Sequence, residues 1–216
     1  MINYQKELEK ILQKIEVTKE GGVAPRLFLH SCCAPCSSYV LEYLSTYFAI
    51  TVFYYNPNIS FGEEYRKRVE EQKRLIAAFN EEGGRYPIAI EEGDYEPAVF
   101  YEMAKGMESC PEGGERCFRC FDLRLRETAK RAAAGGYDYF ATTLTISPLK
   151  NAQKLNEIGM ALSQEYRVFW LPSDFKKKNG YKRSIELSAQ YGLYRQDYCG
   201  CVFSRLILKV KSSFLK

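Results

Sequence analysis

The sequence predicts an α/β fold of three layers, with helices on both faces of a mostly parallel five-stranded sheet. Three observations predict it. Short apolar runs alternate with longer segments of helical periodicity along most of the chain. Glycine pairs and prolines punctuate the boundaries. The 216 residues are 46% hydrophobic and 14% aromatic, enough to build a core on both sides of a sheet.

The elements follow in order. Tyr4, Leu8, Ile11, Leu12 and Ile15 recur at helical spacing, and Gly21-Gly22 close that helix. "RLFLHS" holds a buried strand, Leu27 to His30. Pro35, Ser37 and Ser38 open a helix through about Phe48. "ITVFYY" is a second strand, stopped by "NPN" at Asn56 to Asn58. Tyr65, Val69, Ile76 and Phe79 mark a long helix that ends near Gly83-Gly84. Pro87 to Ile90 is a short third strand. A helix from about Glu96 precedes a Gly/Pro-rich loop at Ser109 to Glu115. The next helix runs from about Phe118 to Ala134 and is closed by Gly135-Gly136. "YDYFAT" is a fourth strand, "AQKLNEIGMALSQEY" a helix and "RVFWL" a fifth strand. After Pro172 the chain turns basic and aromatic without clear alternation. The expected organisation is one domain: a helical extension (1–22), an α/β core (23–172) and a segment (173–216) that completes the site.

Composition excludes several classes. No run approaches the roughly 18 apolar residues that a membrane helix needs. The charged, amphipathic start lacks the apolar centre of a secretion signal, so a cytoplasmic protein is expected. Eight cysteines are too dilute for a secreted disulfide scaffold. In a reducing compartment, clustered cysteines point to metal or catalysis. The net charge of +4 permits a nucleic-acid partner without demanding one.

In parallel sheets, sites lie beyond the carboxyl ends of the strands. Every unusual stretch falls at such an end: "CCAPC", "NPNI", "EEGDYEP", "TTLTISPLKN" and "LPSDFKKKNGYKR". Cys32, Cys33 and Cys36 occupy the first strand-to-helix turn, where the helix dipole favours thiolate. Cys33-x-x-Cys36 also fits a redox pair, with Cys32 surplus. Cys117 and Cys120 have the C-x-x-C spacing that turns two sulfurs to one metal. Cys110 precedes them by a glycine loop, and nothing fixes its position. Cys199 and Cys201 flank Gly200, which allows a tight bend turning both sulfurs one way. They either complete a metal site or form an oxidisable pair beside it. For each group the plain alternative is packing or a local disulfide. The lone His30 lies in a strand and reads as a core or supporting residue, not a ligand. Soft thiolates select zinc or iron–sulfur clusters, and seven cysteines exceed a structural zinc's four ligands, which favours iron.

Together "HSCCAPC", "YNPNIS" with "EEYRKR", "PEGGERCFRCFDLRL", "TTLTISPLKN", "DFKKKNGYKRSIELS" and "YGLYRQDYCGCVFS" resemble the QueH-type epoxyqueuosine reductases, from Arg26 to Ser204. The resemblance implies reduction of the epoxide of epoxyqueuosine, at the wobble position of tRNA, to the alkene of queuosine. It implies a fold similar to the PP-loop, nucleotide alpha-hydrolase-like group. It also implies a [4Fe-4S] cluster and an adjacent mononuclear metal ion, iron by expectation, held among Cys32, Cys33, Cys36, Cys117, Cys120, Cys199 and Cys201. Some members carry a carboxylate at the position of Cys36, which suits a ligand of the single ion. Cys110 falls where a charged residue is expected.

Removing the epoxide oxygen as water takes two electrons and two protons. Asp197 and Tyr198 are the expected proton donors, with Tyr181 and Asp122 as further options. Nothing resembles a flavin or nicotinamide site, so an external ferredoxin- or flavodoxin-like donor is expected. For the tRNA, Lys176, Lys177, Lys178, Lys182 and Arg183 offer phosphate contacts and Tyr181 a stacking face. Ser147, Lys150 and Asn151 add polar contacts, and Asn56 and Asn58 are placed to read a ring or ribose edge. The rival readings are a tRNA sulfurtransferase on a related fold and a zinc-stapled RNA-binding module. The first lacks a phosphate-cradling glycine- and serine-rich turn in "CCAPC".

Overall fold

The computed structural model describes residues 2–18 and 23–204. The expected helix stop at Gly21-Gly22 and the end of the C-terminal segment (205–216) lie outside the described residues. The elements are α1 (Tyr4–Thr18), β1 (Arg26–His30), α2 (Ala34–Leu44), β2 (Ala49–Tyr54), α3 (Gly62–Glu82), β3 (Ile88–Glu92), α4 (Pro97–Ala104), α5 (Glu115–Ala134), β4 (Tyr139–Thr142), α6 (Ala152–Tyr166), β5 (Phe169–Trp170) and α7 (Gly180–Gln190). A 3₁₀ turn, Thr143–Ile146, follows β4 directly.

The five strands run in the order β3-β2-β1-β4-β5, and every pair is parallel. The β1–β2 and β2–β3 crossovers extend the sheet one way. The chain then returns to lay β4 on the other side of β1. The order therefore reverses between β1 and β4, and crevices for ligands open at such switch points. Helices cover both faces, giving the three layers the sequence predicts.

The alternation of side chains in β1 shows how the layers form. Leu27 and Leu29 pack with Val40, Leu41 and Leu44 of α2, Leu75 and Phe79 of α3, and Leu8 and Leu12 of α1. Phe28 points the other way, into Phe121, Leu125 and Ala129 of α5 and Leu155 and Leu162 of α6. α1 thus packs its apolar stripe into the core.

Three local outcomes differ from the sequence reading. β5 is only Phe169–Trp170, because Arg167 adopts a left-handed conformation (φ 57°) to close α6 and uses up the start of "RVFWL". β4 starts at Tyr139, because Tyr137 and Asp138 still bond back to Ala132 and Arg26 in the turn after α5. α7 has no expected counterpart. Its buried stripe is Gly180, Ser184, Leu187 and Ser188, too polar to register as an apolar period. Gly180 lets α7 lie close to α2, since a Cβ there would sit 2.0 Å from the Phe175 carbonyl oxygen and 2.4 Å from the Tyr39 ring.

α6 docks through the same device. A Cβ on Gly159 would lie 2.2 Å from the Trp170 ring, whose Nε1–H donates to Asn156 Oδ1 at 3.0 Å. Alanine gains up to about 1 kcal/mol in helix propensity. Overpacking against a held indole removes more, about 1–3 kcal/mol. Gly159→Ala is therefore expected to lower the urea midpoint with m unchanged, and a raised midpoint would contradict this packing.

Candidate metal centre

All the strand ends face one region, and the cysteines gather there in two groups. The first group is Cys32, Cys33 and Cys36. β1 ends at His30, and Cys33 is the N-cap of α2, with Pro35 in its first turn. The turn is short because Pro is suited to a helix start, so the three sulfurs cannot spread. Their Sγ atoms all lie within 4.8 Å of one another. Cys32 Sγ is 3.7 Å from Cys33 Sγ. Two sulfurs bound about 2.3 Å from one tetrahedral ion lie about 3.8 Å apart. The spacing therefore fits three thiolates on one ion, with a fourth position left for another ligand. Cys36, expected as a ligand of the single ion, lies inside this group.

The switch point closes around it. Cys32 Sγ is 3.8 Å from Thr143 Oγ1, which joins the ends of β1 and β4. The Tyr54 hydroxyl donates to the Cys32 carbonyl at 3.4 Å. Ser31 and Ser37 both donate to Gln72 Oε1, at 2.8 and 2.9 Å, fixing the turn to α3. His30 is fully buried and not a ligand. Its Nε2 bonds the Tyr55 carbonyl at 3.1 Å and its Nδ1 the Thr142 hydroxyl at 2.9 Å. Burial, with the nearby Arg124 charge, pulls its pKa down to about 3, so the ring is neutral.

The second group is Cys117, Cys120, Cys199 and Cys201. These line one cleft with Phe100, Phe121, Arg124, Leu149 and Lys150. Cys117 and Cys120 lie in the first turns of α5, which begins at Glu115, earlier than Phe118. Cys199 and Cys201 arrive on the chain after α7, held by the β2–α3 loop. Arg68 Nη1 and Nη2 donate to the Cys199 and Tyr198 carbonyls at 3.3 and 3.4 Å. The Ser60 amide donates to the Gly200 carbonyl at 3.0 Å, and Ser60 Oγ accepts from Val202 N–H at 2.9 Å. Three of the sulfurs accept N–H donors: Cys117 from Gly113 (3.3 Å), Cys201 from Ser204 (3.4 Å) and Cys199 from the Asn58 amide (3.8 Å). Among the described residues only Cys32, Cys33 and Cys36 meet the spacing of a single ion. The four cleft cysteines are set wider, which suits a larger group.

Between the groups lie two cations. Arg124 is 2% exposed. Its Nε donates to the Cys120 carbonyl at 3.3 Å and its Nη1 to Asn56 Oδ1 at 3.2 Å. Asn56 Nδ2 in turn donates to the Ser31 carbonyl at 2.8 Å. Lys150 lies at the cleft edge, half-buried. In each group one thiol is favoured as thiolate. Hydrogen bonds from Cys33 and Cys36, then the Lys150 and Arg124 charges, hold Cys32 well below the usual thiol range. The Cys201 thiol, then Lys150 and Arg124, does the same for Cys199. Their partners move the other way: Cys33 is pushed up to about 12 by donating to Cys32, and Cys36 and Cys201 are also raised. Burial raises Cys120. A set of soft sulfur donors with cations alongside fits a sulfur-preferring metal.

The remaining residues singled out in the sequence are more scattered. Asn56 is buried and uses both amide atoms within the protein. Asn58 is also buried, against Cys199. Asn151 Oδ1 caps α6 by accepting from the Lys154 amide at 3.0 Å. In the basic segment, Lys176 pairs with Asp174, Lys178 with Glu9 and Arg183 with Glu42 and Glu186. Lys177, Tyr181 and Lys182 are exposed. Asp197 is exposed and Tyr198 half-buried, both just before Cys199. Asp122 pairs with Arg126 on α5. Cys110 is half-buried and does not line the cleft. The sequence reading missed Arg68 and Arg124. The second was signalled, since Cys117, Cys120, Phe121 and Arg124 follow i, i+3, i+4, i+7 along one helix face.

No helix of the described residues is long and apolar enough to cross a membrane. The family model described as Epoxyqueuosine reductase QueH matches residues 27–206. Among curated proteins, the Epoxyqueuosine reductase QueH of Staphylococcus epidermidis is 47% identical over 207 residues, 95% of this chain and 85% of that protein. The protein of the same name from Streptococcus pyogenes is 44% identical over 203 residues, 94% and 78% of the two chains. That of Thermotoga maritima is 35% identical over 186 residues, 83% and 90%. The matched span, 27–206, includes both cysteine groups and the arginine between them, and this chain belongs to the epoxyqueuosine reductase QueH family of oxidoreductases.

Proposed function

We propose that this protein reduces the epoxide of epoxyqueuosine in tRNA to the alkene of queuosine, the oxygen leaving as water with two electrons and two protons. The observation that carries the reading is the arrangement of seven thiols in two groups at the β1/β4 switch point, one sized for a single ion and one set wider. Cys117, Cys120, Cys199 and Cys201 would hold a [4Fe-4S] cluster, and Cys32, Cys33 and Cys36 an iron ion. When bound, the cluster supplies electrons singly and the ion acts as a Lewis acid toward the epoxide oxygen.

The chain's own groups do the rest. Cys32, Cys33 and Cys36 would supply three ligands to a single ion and leave the rest of its coordination to another group. Lys150 brings positive charge to the oxygen that becomes anionic as its carbon bond breaks. Asp197 and Tyr198 supply protons from the segment leading into Cys199. Leu149 and Phe121 give the cleft an apolar wall against the substrate ring. Lys177, Lys182 and Tyr181 remain open for phosphate and base contacts. The paired Lys176, Lys178 and Arg183 hold the segment that presents them. Asn56, Asn58 and Asn151 support the site's frame. A ferredoxin- or flavodoxin-like protein would deliver the electrons.

The test is anaerobic purification, iron and sulfide assay, and turnover of epoxyqueuosine-containing tRNA with dithionite, read by mass spectrometry of the nucleosides. Protein with about four or more irons per chain that forms queuosine supports the proposal. Colourless, zinc-only protein without turnover would overturn it in favour of a zinc-stapled RNA-binding module. Within that assay Cys120→Ala is expected to lose the cluster's iron. Cys110→Ala, outside the cleft, is expected to keep it, and equal loss at both would refute the division of cysteines.

A further inference from the structure

We propose that Arg124 is the fixed cation that sets the reduction potential of the four-cysteine centre and ties that centre to the three-cysteine site. The inference rests on the iron–sulfur reading of the cleft.

A buried guanidinium needs a counter-charge, because removing it from water is expensive. Arg68 shows the usual solution. It is equally buried and pairs with Glu64 at 2.7 Å. Arg124 has no carboxylate within ion-pair distance among the described residues, and the oxygens it donates to, the Cys120 carbonyl and Asn56 Oδ1, are both neutral. What surrounds it is sulfur. It lines the cleft with Cys117, Cys120, Cys199 and Cys201, and its Nε is held on the Cys120 carbonyl. The cysteine centre is therefore the counter-ion of Arg124. Arginine never deprotonates in proteins, so this charge is permanent.

Each electron a cluster accepts adds one negative charge, with no proton required. A permanent cation in a buried setting lowers the energy of that state more than of the oxidised one. Charge near the cluster and burial are the levers by which a protein sets such potentials. A higher potential lets a one-electron donor of ferredoxin type fill the centre. The same residue also spans the two groups. The chain of bonds runs from the Cys120 carbonyl through Arg124 and Asn56 to the carbonyl of Ser31, the residue just before Cys32. Movement of one cysteine group is thereby transmitted to the other through three hydrogen bonds, two of them donated by the charged guanidinium.

The experiment compares wild type, Arg124→Met, Arg124→Lys and Asn56→Asp, all prepared anaerobically with dithionite as reductant. Iron and sulfide per chain are measured first, so a wild type that holds no cluster counts against the proposed function and not against this role. An EPR-monitored potentiometric titration follows. Arg124→Met is expected to shift the midpoint negative, lowering the reduced-to-oxidised ratio at a fixed poise at least tenfold, about 59 mV for one electron. Arg124→Lys keeps the charge and is expected to stay within about threefold of the wild-type ratio. Asn56→Asp leaves the guanidinium in place but adds an opposing charge, and is expected to shift the midpoint in the same direction as Arg124→Met. If Arg124→Met does not load iron, Asn56→Asp decides. A loaded Arg124→Met or Asn56→Asp protein with the wild-type midpoint would overturn the proposal.

Discussion

Cys36→Ala is expected to leave a folded protein that has lost the ion of the three-cysteine site and, on the proposed chemistry, at least about 10³-fold in kcat. Cys36 is half-buried at the third position of α2, and its removal leaves no orphaned backbone group. The apoprotein should therefore lose less than about 1 kcal/mol of stability. What goes is one of three sulfurs sized for a single ion. A Lewis acid contributes several kcal/mol to developing charge on oxygen, and each 1.36 kcal/mol is about tenfold in rate. Cys36→Asp offers a carboxylate that suits the same tetrahedral geometry. It should retain metal and stay within about 10²-fold of wild type, the range that altered ligand surroundings commonly take away. Metal per chain, urea unfolding of the apoproteins and single-turnover rates separate these outcomes. Cys36→Ala with wild-type metal content and rate would show that Cys36 is a bystander beside Cys32 and Cys33.

The sheet was legible because its signal is local. β1 and β2 are continuous apolar runs bounded by turn residues, and such runs mean strands buried on both faces. Helices α3 and α5 were legible for the same reason, one apolar face each, closed by glycines. What escaped was set by tertiary contact. α7 buries Ser184 and Ser188 beside Leu187, and its close approach to α2 depends on Gly180, so its buried face is not an apolar stripe. β5 shrinks to two residues because a left-handed Arg167 takes its place. Neither fact has a trace in periodicity.

The site divides in the same way. The cysteines were legible because strand ends in a parallel sheet converge, and each group stood at one. Their grouping was not, because it depends on how the α2 turn folds the three sulfurs together and on where the chain after α7 crosses the cleft. The polar residues were the least legible. "YNPNIS" looked able to read a substrate edge, yet Asn56 is buried with its amide used between Ser31 and Arg124. "DFKKKNGYKR" looked like a uniform basic patch, yet Lys176, Lys178 and Arg183 answer Asp174, Glu9 and Glu42. Charge counts along a sequence do not show which charges are already paired.

Gly200→Ala is expected to cost about 2–4 kcal/mol and to strip the four-cysteine centre of iron, though no sulfur is touched. Gly200 lies between two of the four cysteines at φ 110°, a backbone region where an L side chain is strained by about 1–3 kcal/mol. A Cβ there also has nowhere to go. It would lie 2.9 Å from Ile59 Cγ1 and 3.3 Å from Arg68 Nη1. Ile59 is buried and Arg68 is held by Glu64, so neither yields cheaply. The segment itself must move, and with it go the Arg68 bonds to Cys199 and Tyr198 and the Ser60 bond to Gly200. Gly192 is the control that separates the two causes. It also has positive φ, 56°, but nothing lies within 4 Å of its Cβ position. Gly192→Ala should show only the strain, about 1 kcal/mol, and full iron. Urea midpoints and iron per chain test both variants together. If Gly200→Ala kept wild-type iron, the bend between Cys199 and Cys201 would not be what presents their sulfurs, and those two cysteines would have to leave the proposed ligand set.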